Sequence, residues 1–298
     1  MVAMLDTLTL SAPAKLNLFL RIIGRRDDGY HQLQTLFQLL DSGDVIILQR
    51  RDDDQITLAA DRLDIPPEDN LALRAAQRLR QATGVKQGCS IDIDKRLPMG
   101  AGLGGGSSDA ATTLVGLNAL WNCQLSSIQL AAIGADLGAD IPAFVHGNSA
   151  LGEGIGERLR PITLPTQWYL VVTPPVQIST AEIFSHPELT RNSPPIKMCA
   201  LDEERIASYM AFENDCQALV EELYTEVRDV VEWLKRHATP QMSGTGASVF
   251  CSFDSRNCAE KVLQQVPPEW SAFVARGVNR SPLFHQLKQQ FIGASPSG

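Results

Sequence analysis

No apolar run in this sequence of 298 residues approaches the ~20 residues that a membrane span needs, and no internal repeat suggests a solenoid. Cationic residues are also in short supply. Lys and Arg number 26 against 34 Asp and Glu, a formal net charge of −8, which argues against nucleic acid or an anionic membrane as partner. The six cysteines, Cys89, Cys123, Cys199, Cys216, Cys251 and Cys258, have no C-x-x-C spacing. Neither a zinc site nor a disulfide framework is suggested, and reduced thiols are expected. Asp6 and the lack of any basic residue before Lys15 are unlike a secretory signal, which leaves the cytoplasm as the expected location. The tripeptides His-Arg-Asp and Asp-Phe-Gly are missing, which excludes a protein kinase. Gly106 stands where a P-loop requires lysine, which excludes that class too.

What remains is an ordinary globular composition, 44% hydrophobic and 20% charged, on a chain long enough for two cores. One stretch is unusual. Between Pro98 and Asp109, five glycines fall within the seven residues 100–106 and run into Ser107 and Ser108. Glycine loses the most conformational entropy on folding, so this density belongs where φ is positive or where a ligand must approach the backbone. Residues 110–121 follow with an apolar stripe at Ala110, Leu114, Leu117 and Trp121, so the loop ends at a helix N-terminus. Free N–H groups and the positive end of the helix dipole make that point an anion site, suited to a nucleotide polyphosphate. Gly100-x-Gly102-x-x-Gly105 also fits the dinucleotide fingerprint, but residues 96–99 separate it from the preceding strand, where that fold needs a tight turn.

Along the chain, residues 8–13 and 15–23 alternate at period two and read as strands, with Lys15 and Asn17 on one face. A turn at residues 25–29 precedes Tyr30 and His31. Residues 43–48 and 55–58 read as further strands joined through residues 51–54, building an antiparallel sheet. Asp69 is placed to cap a helix over residues 70–79, stopping before Gly84, and residues 90–94 return as a strand into the glycine loop. Ser126 and Gln129 form a capping box for a helix that ends at Gly138. Taken alone, Lys15 reads as a solvated lysine on a strand face, and Asp140, ahead of Ile141 and Pro142, as a cap or turn residue. Residues 151–156 and the region 161–165 read as a hairpin and crossing segment, with a domain boundary near 160 and new structure from Trp168. Thr180 to Phe184 suggests a short helix. Asp215 is placed to cap one long helix carrying Leu219, Leu223, Val227, Val230 and Leu234. A second glycine-rich turn, Ser243-Gly-Thr-Gly-Ala-Ser248, enters a strand, followed by a helix at residues 259–265 and a strand at 271–274. This interleaving fits a ferredoxin-like sandwich, and residues 293–298 are expected to be disordered.

Three segments, in order, resemble the motifs of the small-molecule kinases named for galactose, homoserine, mevalonate and phosphomevalonate, the GHMP kinases. They are Ala12-Pro-Ala-Lys-Leu-Asn-Leu18, Pro98-Met-Gly-Ala-Gly-Leu-Gly-Gly-Gly-Ser-Ser108 and Ser243-Gly-Thr-Gly-Ala-Ser248. Arg25-Arg-Asp-Asp-Gly-Tyr-His31 and Gly138-Ala-Asp-Ile-Pro142 narrow the resemblance to a branch acting on a cytidine diphosphate derivative of methylerythritol. The resemblance implies an α+β protein in two domains: an N-terminal nucleotide-binding domain of ribosomal-protein-S5-like type over residues 1–160 and a ferredoxin-like C-terminal domain over 161–298. It implies ATP as phosphate donor and Mg²⁺ between its β- and γ-phosphates, with Ser108 as neighbour; no metal ligand set is readable.

By the same resemblance Asp140 is the base and Lys15 the cation at the reacting hydroxyl. ATP would meet Pro98, Met99, Gly100, Ala101, Gly102, Leu103, Gly104, Gly105, Gly106, Ser107 and Ser108, with Asn70 and Leu71 near adenine. The acceptor would meet Asn17, Gly244 and Thr245, with His31 on the cytosine edge and Tyr30, Phe37, Thr180 and Phe184 lining its pocket. The expected partner is a small-molecule substrate, with no nucleic acid and no membrane, on a monomer or weak homodimer. A kinase of the same fold acting on a mevalonate-like or homoserine-like alcohol would have no use for Tyr30 and His31. A nucleotide sensor would have no use for Lys15 and Asp140.

Overall fold

The computed structural model describes residues 5–59, 65–196 and 213–293. Its backbone begins with a long antiparallel pair, β1 (Thr7–Arg25) and β2 (His31–Arg51). The sequence pattern foresees the first of these but only the end of the second. Residues 34–40 of β2 are buried throughout, so apolar and polar residues do not alternate there. Its polar members find partners inside: Thr35 Oγ1 donates to the Phe19 carbonyl, and the Gln38 amide nitrogen lies within donating distance of the Leu39 and Val278 carbonyls and the Ser149 hydroxyl, although Gln38 Oε1 has no partner among the described residues.

Beyond β2 lie β3 (Ile56–Leu58) and β4 (Gly88–Asp94), with β4 feeding the glycine loop. Helix α1 (Leu71–Thr83) is capped by Asn70, whose side chain accepts from the N–H groups of Ala72 and Leu73. Asp69 instead ends a single 3-10 turn, Pro67–Asp69. The expected cap is thus displaced by one residue, because the amide oxygen of Asn70 is the acceptor aimed at the free N–H groups. Helix α2 (Gly105–Leu120) starts inside the glycine run and is buried on nearly every side. It packs with α1, α3 (Ser127–Ala135) and α4 (Ile141–His146) over Leu8, Leu10, Ile46 and Leu48 of the long strands. The capping box at Ser126 and Gln129 is formed, and α3 ends at Ala135 rather than Gly138.

After the short pair β5 (Ala150–Gly154) and β6 (Arg158–Pro161), the chain adds β7 (Trp168–Thr173), α5 (Thr180–Ser185), α6 (Gln217–Leu223), α7 (Thr225–Leu234), β8 (Gln241–Met242), β9 (Val249–Phe253), α8 (Arg256–Leu263) and β10 (Ser271–Val278). The strands run in the spatial order β10, β7, β9, β8, the ferredoxin-like arrangement. The single long helix expected from Asp215 is two helices broken at Tyr224, which adopts extended backbone. Leu223, at the break, is exposed. Asp215 caps neither helix; its carboxylate accepts from the N–H of Ile22 and ties this half to β1.

Strand β10 pairs with β2 as well as β7, so one sheet runs through both halves of the chain. The last element, α9 (Pro282–Gly293), was not anticipated and returns to the first core through Leu283. It covers the open edge of β1 with two glutamines one turn apart. Gln286 accepts from the Ser11 N–H at 2.7 Å, and Gln290 both accepts from the Thr9 N–H and donates to its carbonyl. Side chains thereby pair an edge that would otherwise present free backbone groups. The expected disordered tail falls, apart from Gly293, outside the described residues.

Replacing Gln286 by Ala should strip the Ser11 N–H of its partner in a part-buried position. A loss of about 1–3 kcal/mol is expected, the cost of an orphaned donor. Urea unfolding of the variant should show this as a lower midpoint with an unchanged slope.

Candidate active site

The cleft between the two halves, about 530 Å³, is floored by the glycine loop. A single hydroxyl holds its walls together. Ser243 Oγ accepts from the backbone N–H of Asn17 at 3.2 Å and donates to the carbonyl of Gly102 at 2.9 Å. The three motif segments, residues 12–18, 98–108 and 243–248, therefore meet at one buried atom. Two more backbone bonds reinforce the joint: Lys15 N–H to Leu103 O at 3.0 Å and Ser248 N–H to Ala101 O at 3.1 Å.

Glycine is required in the loop for two different reasons. At Gly102, φ is +76°, and a Cβ would collide with the Ser243 carbonyl, so close approach of the third turn forbids a side chain. At Gly104, φ is +70°, and a Cβ would lie 2.9 Å from the Phe144 ring and 3.2 Å from Lys15 Cε. Gly104 therefore makes room for the lysine as well as for a ligand. It is also the N-cap of α2, whose first turn offers unpaired N–H groups to the cleft.

Lys15 sits on β1 where the register with β2 shifts on both sides, a distortion that re-aims side chains. Its ammonium donates to Asn17 Oδ1, lies 3.5 Å from Asp140 Oδ2 and faces the Phe37 ring at 5.6 Å. Asn17 is held in turn by donating to Thr35 Oγ1 at 2.7 Å. Lys15 is 5% exposed, so the solvated strand face is excluded. Asp140 occupies the N-cap position of α4, but its side chain makes no cap hydrogen bond. The carboxylate is turned to Lys15 instead. A partly exposed acceptor and a buried cation thus share one point beside the loop.

Beneath the start of α2 lies a charged group that was not foreseen. The Lys95 ammonium bridges Asp44 Oδ2 at 2.6 Å and Asp109 Oδ2 at 2.8 Å. Asp44 also accepts from the N–H groups of Arg96 and Leu97, whereas Asp109 Oδ1 is buried without a partner among the described residues. Burial pushes the Asp109 carboxyl up to about 7 against the pull of Lys95, with Asp44 adding to the rise. Lys95 and Asp109 both line the cleft.

Most of the expected site residues converge here. Lys15, Asn17, Phe37, Asn70, Leu71, residues 98–107, Asp140, Thr180, Phe184, Gly244 and Thr245 all line the cleft. The Thr180 and Thr245 hydroxyls are bonded at 2.9 Å, closing its far wall. Three residues stand outside the lining. Ser108 is fully buried just below it, its Oγ without a partner among the described residues. Tyr30 is 60% exposed on the turn between β1 and β2. His31 is buried and stacks on Phe184, ring centroids 5.1 Å apart, so it reaches the cleft wall through that ring. Burial, with Arg191 and Arg25 beside it, lowers the His31 pKa from its ordinary value.

No helix among the described residues is long and apolar enough to cross a membrane, and none of their acidic, His and Cys side chains form a group of three or more able to hold a metal. The model of the GHMP kinases N terminal domain matches residues 70–148, and that of the GHMP kinases C terminal matches residues 197–272. The 4-diphosphocytidyl-2-C-methyl-D-erythritol kinase of Chromohalobacter salexigens is 48% identical over 283 residues, 95% of each chain. That of Pseudomonas aeruginosa is 50% identical over 281 residues, covering 94% of this chain and 98% of the relative. A solved 4-(cytidine 5'-diphospho)-2C-methyl-D-erythritol kinase superposes with a TM-score of 0.79 at 31% identity, over 91% of this chain and 99% of that one. Homoserine kinase from Cytophaga hutchinsonii, at 18% identity and TM-score 0.63, shares the fold. With the three motifs joined at Ser243 and this identity along nearly the whole length, the chain belongs to the GHMP kinases, in the branch of the 4-diphosphocytidyl-2-C-methyl-D-erythritol kinases.

Proposed function

We propose that this enzyme transfers the γ-phosphoryl group of ATP to the 2-hydroxyl of 4-diphosphocytidyl-2-C-methyl-D-erythritol, giving the 2-phosphate and ADP in the non-mevalonate route to isoprenoid precursors. The observation that carries the residue roles is the pairing of Lys15 with Asp140 at the edge of the glycine loop. In-line transfer asks the protein for positioning and for charge neutralisation. Asp140 accepts the proton of the acceptor hydroxyl as its oxygen bonds to phosphorus, and the bond from phosphorus to the bridging oxygen breaks, its electron pair leaving with ADP. Lys15, fixed by Asn17 and Phe37, holds the hydroxyl near the carboxylate and stabilises the oxygen as it loses its proton.

N–H groups of the loop and of the first turn of α2 receive the phosphates, and Asn70 and Leu71 border the adenine side. Mg²⁺ would neutralise phosphate charge, and the Ser108 hydroxyl, buried without a partner among the described residues, is the group that would stand nearest to it. The segment 1–160 supplies the nucleotide side, and the segment 161–298 supplies the turn at 243–248 and helix α5 to the acceptor side. There His31 meets the cytosine edge, with Phe184 and Tyr30 as aromatic neighbours and Phe37, Thr180, Gly244 and Thr245 nearer the reacting end. A cytoplasmic location is supported by five described cysteines that are all free. The same reading treats the enzyme as a monomer or weak homodimer, which sedimentation reads directly.

Asp140→Asn keeps the shape and removes proton acceptance. Turnover should fall roughly 10²–10⁴-fold, the range for loss of a general base. Steady-state assays of ADP release should show it, with the KM for ATP little changed; near wild-type turnover in the folded variant would remove Asp140 from that role.

The phosphate cradle is tested best at Gly106. A Cβ there meets only Leu71 Cδ1, at 3.7 Å, so Gly106→Val should fold while placing two methyl groups in the cleft. Calorimetric titration should show ATP affinity reduced at least tenfold, about 1.4 kcal/mol.

A further inference from the structure

Arg191 lies in the loop after α5, and no acidic partner pairs with it among the described residues. Its guanidinium is nevertheless fully used. Nη1 donates to the carbonyls of Pro187 and Leu189, and Nη2 to those of Phe184 and His186. The fifth donor, Nε–H, points at His31 Nε2 at 3.0 Å. Arginine has five N–H donors and no acceptor. The histidine nitrogen that faces it must therefore offer a lone pair, so in the neutral ring the proton sits on Nδ1.

Burial and the two neighbouring arginines disfavour a second proton on the ring. Nδ1 has no partner among the described residues. The same arginine holds the Phe184 carbonyl, and Phe184 stacks on His31 with an interplanar angle of 27°. One side chain thus fixes the tautomer of the imidazole and the ring packed against it.

The consequence concerns the base of the acceptor. A fixed N–H donor matches the N3 acceptor of cytosine and opposes the N3–H donor of uracil. A histidine free to exchange tautomers would serve either. We propose that Arg191 is a positioning residue that makes the site select cytosine over uracil, by holding His31 as the Nδ1–H tautomer. This rests on the reading that His31 meets the base.

The test uses the whole enzyme with the cytidine diphosphate acceptor and its uridine diphosphate counterpart. Wild type should favour the cytidine compound roughly 10- to 100-fold in kcat/KM, the scale of a buried donor set against a donor. Arg191→Met should reduce that preference to threefold or less, chiefly through KM for the cytidine compound. Arg191→Lys, still a donor without acceptor capacity, should retain most of it.

Long-range proton–nitrogen correlation spectra of the wild-type enzyme, with His31 assigned by its absence in His31→Gln, should show Nδ1 protonated and Nε2 bare. This measurement stands whether or not the Met variant folds. A wild-type ring protonated on Nε2, or an undiminished preference in folded Arg191→Met, overturns the role of Arg191. Loss of the preference in Arg191→Lys also overturns it. An unchanged KM for the cytidine acceptor in His31→Ala overturns instead the reading on which it rests.

Discussion

The buried hydroxyl of Ser243 is the contact on which the active geometry depends. It accepts from the Asn17 N–H and donates to the Gly102 carbonyl, and so fixes β1, the glycine loop and the turn at residues 243–248 against one another. Each of the three is irregular on its own: a strand with register shifts, a loop with repeated positive φ, and a turn with Gly244 and Gly246 also at positive φ. Glycine takes up positive φ freely but samples other conformations as freely, so it is the contacts around each segment that select one arrangement. Asn214 adds to this by donating to the carbonyls of Met242 and Gly244, while its neighbour Asp215 reaches back to Ile22. The C-terminal half is thus locked to the first strand through backbone groups on both sides of the cleft.

Charge is arranged around the same loop in two separate pairings. Above it, Lys15 faces a partly exposed Asp140 at a distance that leaves room for an oxygen to share both. Below it, Lys95 is enclosed by two carboxylates, and only Asp44 has its remaining lone pairs satisfied by backbone N–H groups. Removing one member of a buried ion group leaves the others uncompensated, at a cost of about 3–5 kcal/mol. The lower group therefore anchors the N-terminal end of α2 rigidly, and the upper one stays accessible. This division lets the helix start present fixed N–H dipoles, which require no reorganisation when phosphate arrives.

Local signals in the sequence were enough for the elements whose partners are near in the chain. The capping box of Ser126 and Gln129, the left-handed glycine after α1 and the glycine loop itself are all short-range chemistry. Signals failed where tertiary burial overrides pattern. Strand β2 is covered on both faces, which erases alternation, and the apolar stripe from Leu219 to Leu234 continues in phase across the break at Tyr224. Lys15 and Asp140 could be paired only through the motif resemblance, since 125 positions separate them and each alone has a commoner explanation. Lys95 and Asp44, 51 positions apart, carried no such motif and were missed. Arg191 was missed for the same reason, 160 positions from the histidine it holds.

On the proposed assignment of the site, the two ends of the cleft recognise their ligands by different means. At the proposed nucleotide end, backbone N–H groups and small residues are what the cleft offers, and they would read phosphate by shape and charge with little dependence on side-chain identity. At the acceptor end, the available groups are side chains whose donor or acceptor character is set by other side chains: Thr180 against Thr245, Asn17 against Thr35, His31 against Arg191. A hydrogen-bonding site of the second kind discriminates by leaving a mismatched ligand unpaired, a larger penalty than a missing apolar contact imposes. On that assignment, specificity for a large acceptor is carried by the second end, which is built from residues far apart in the chain.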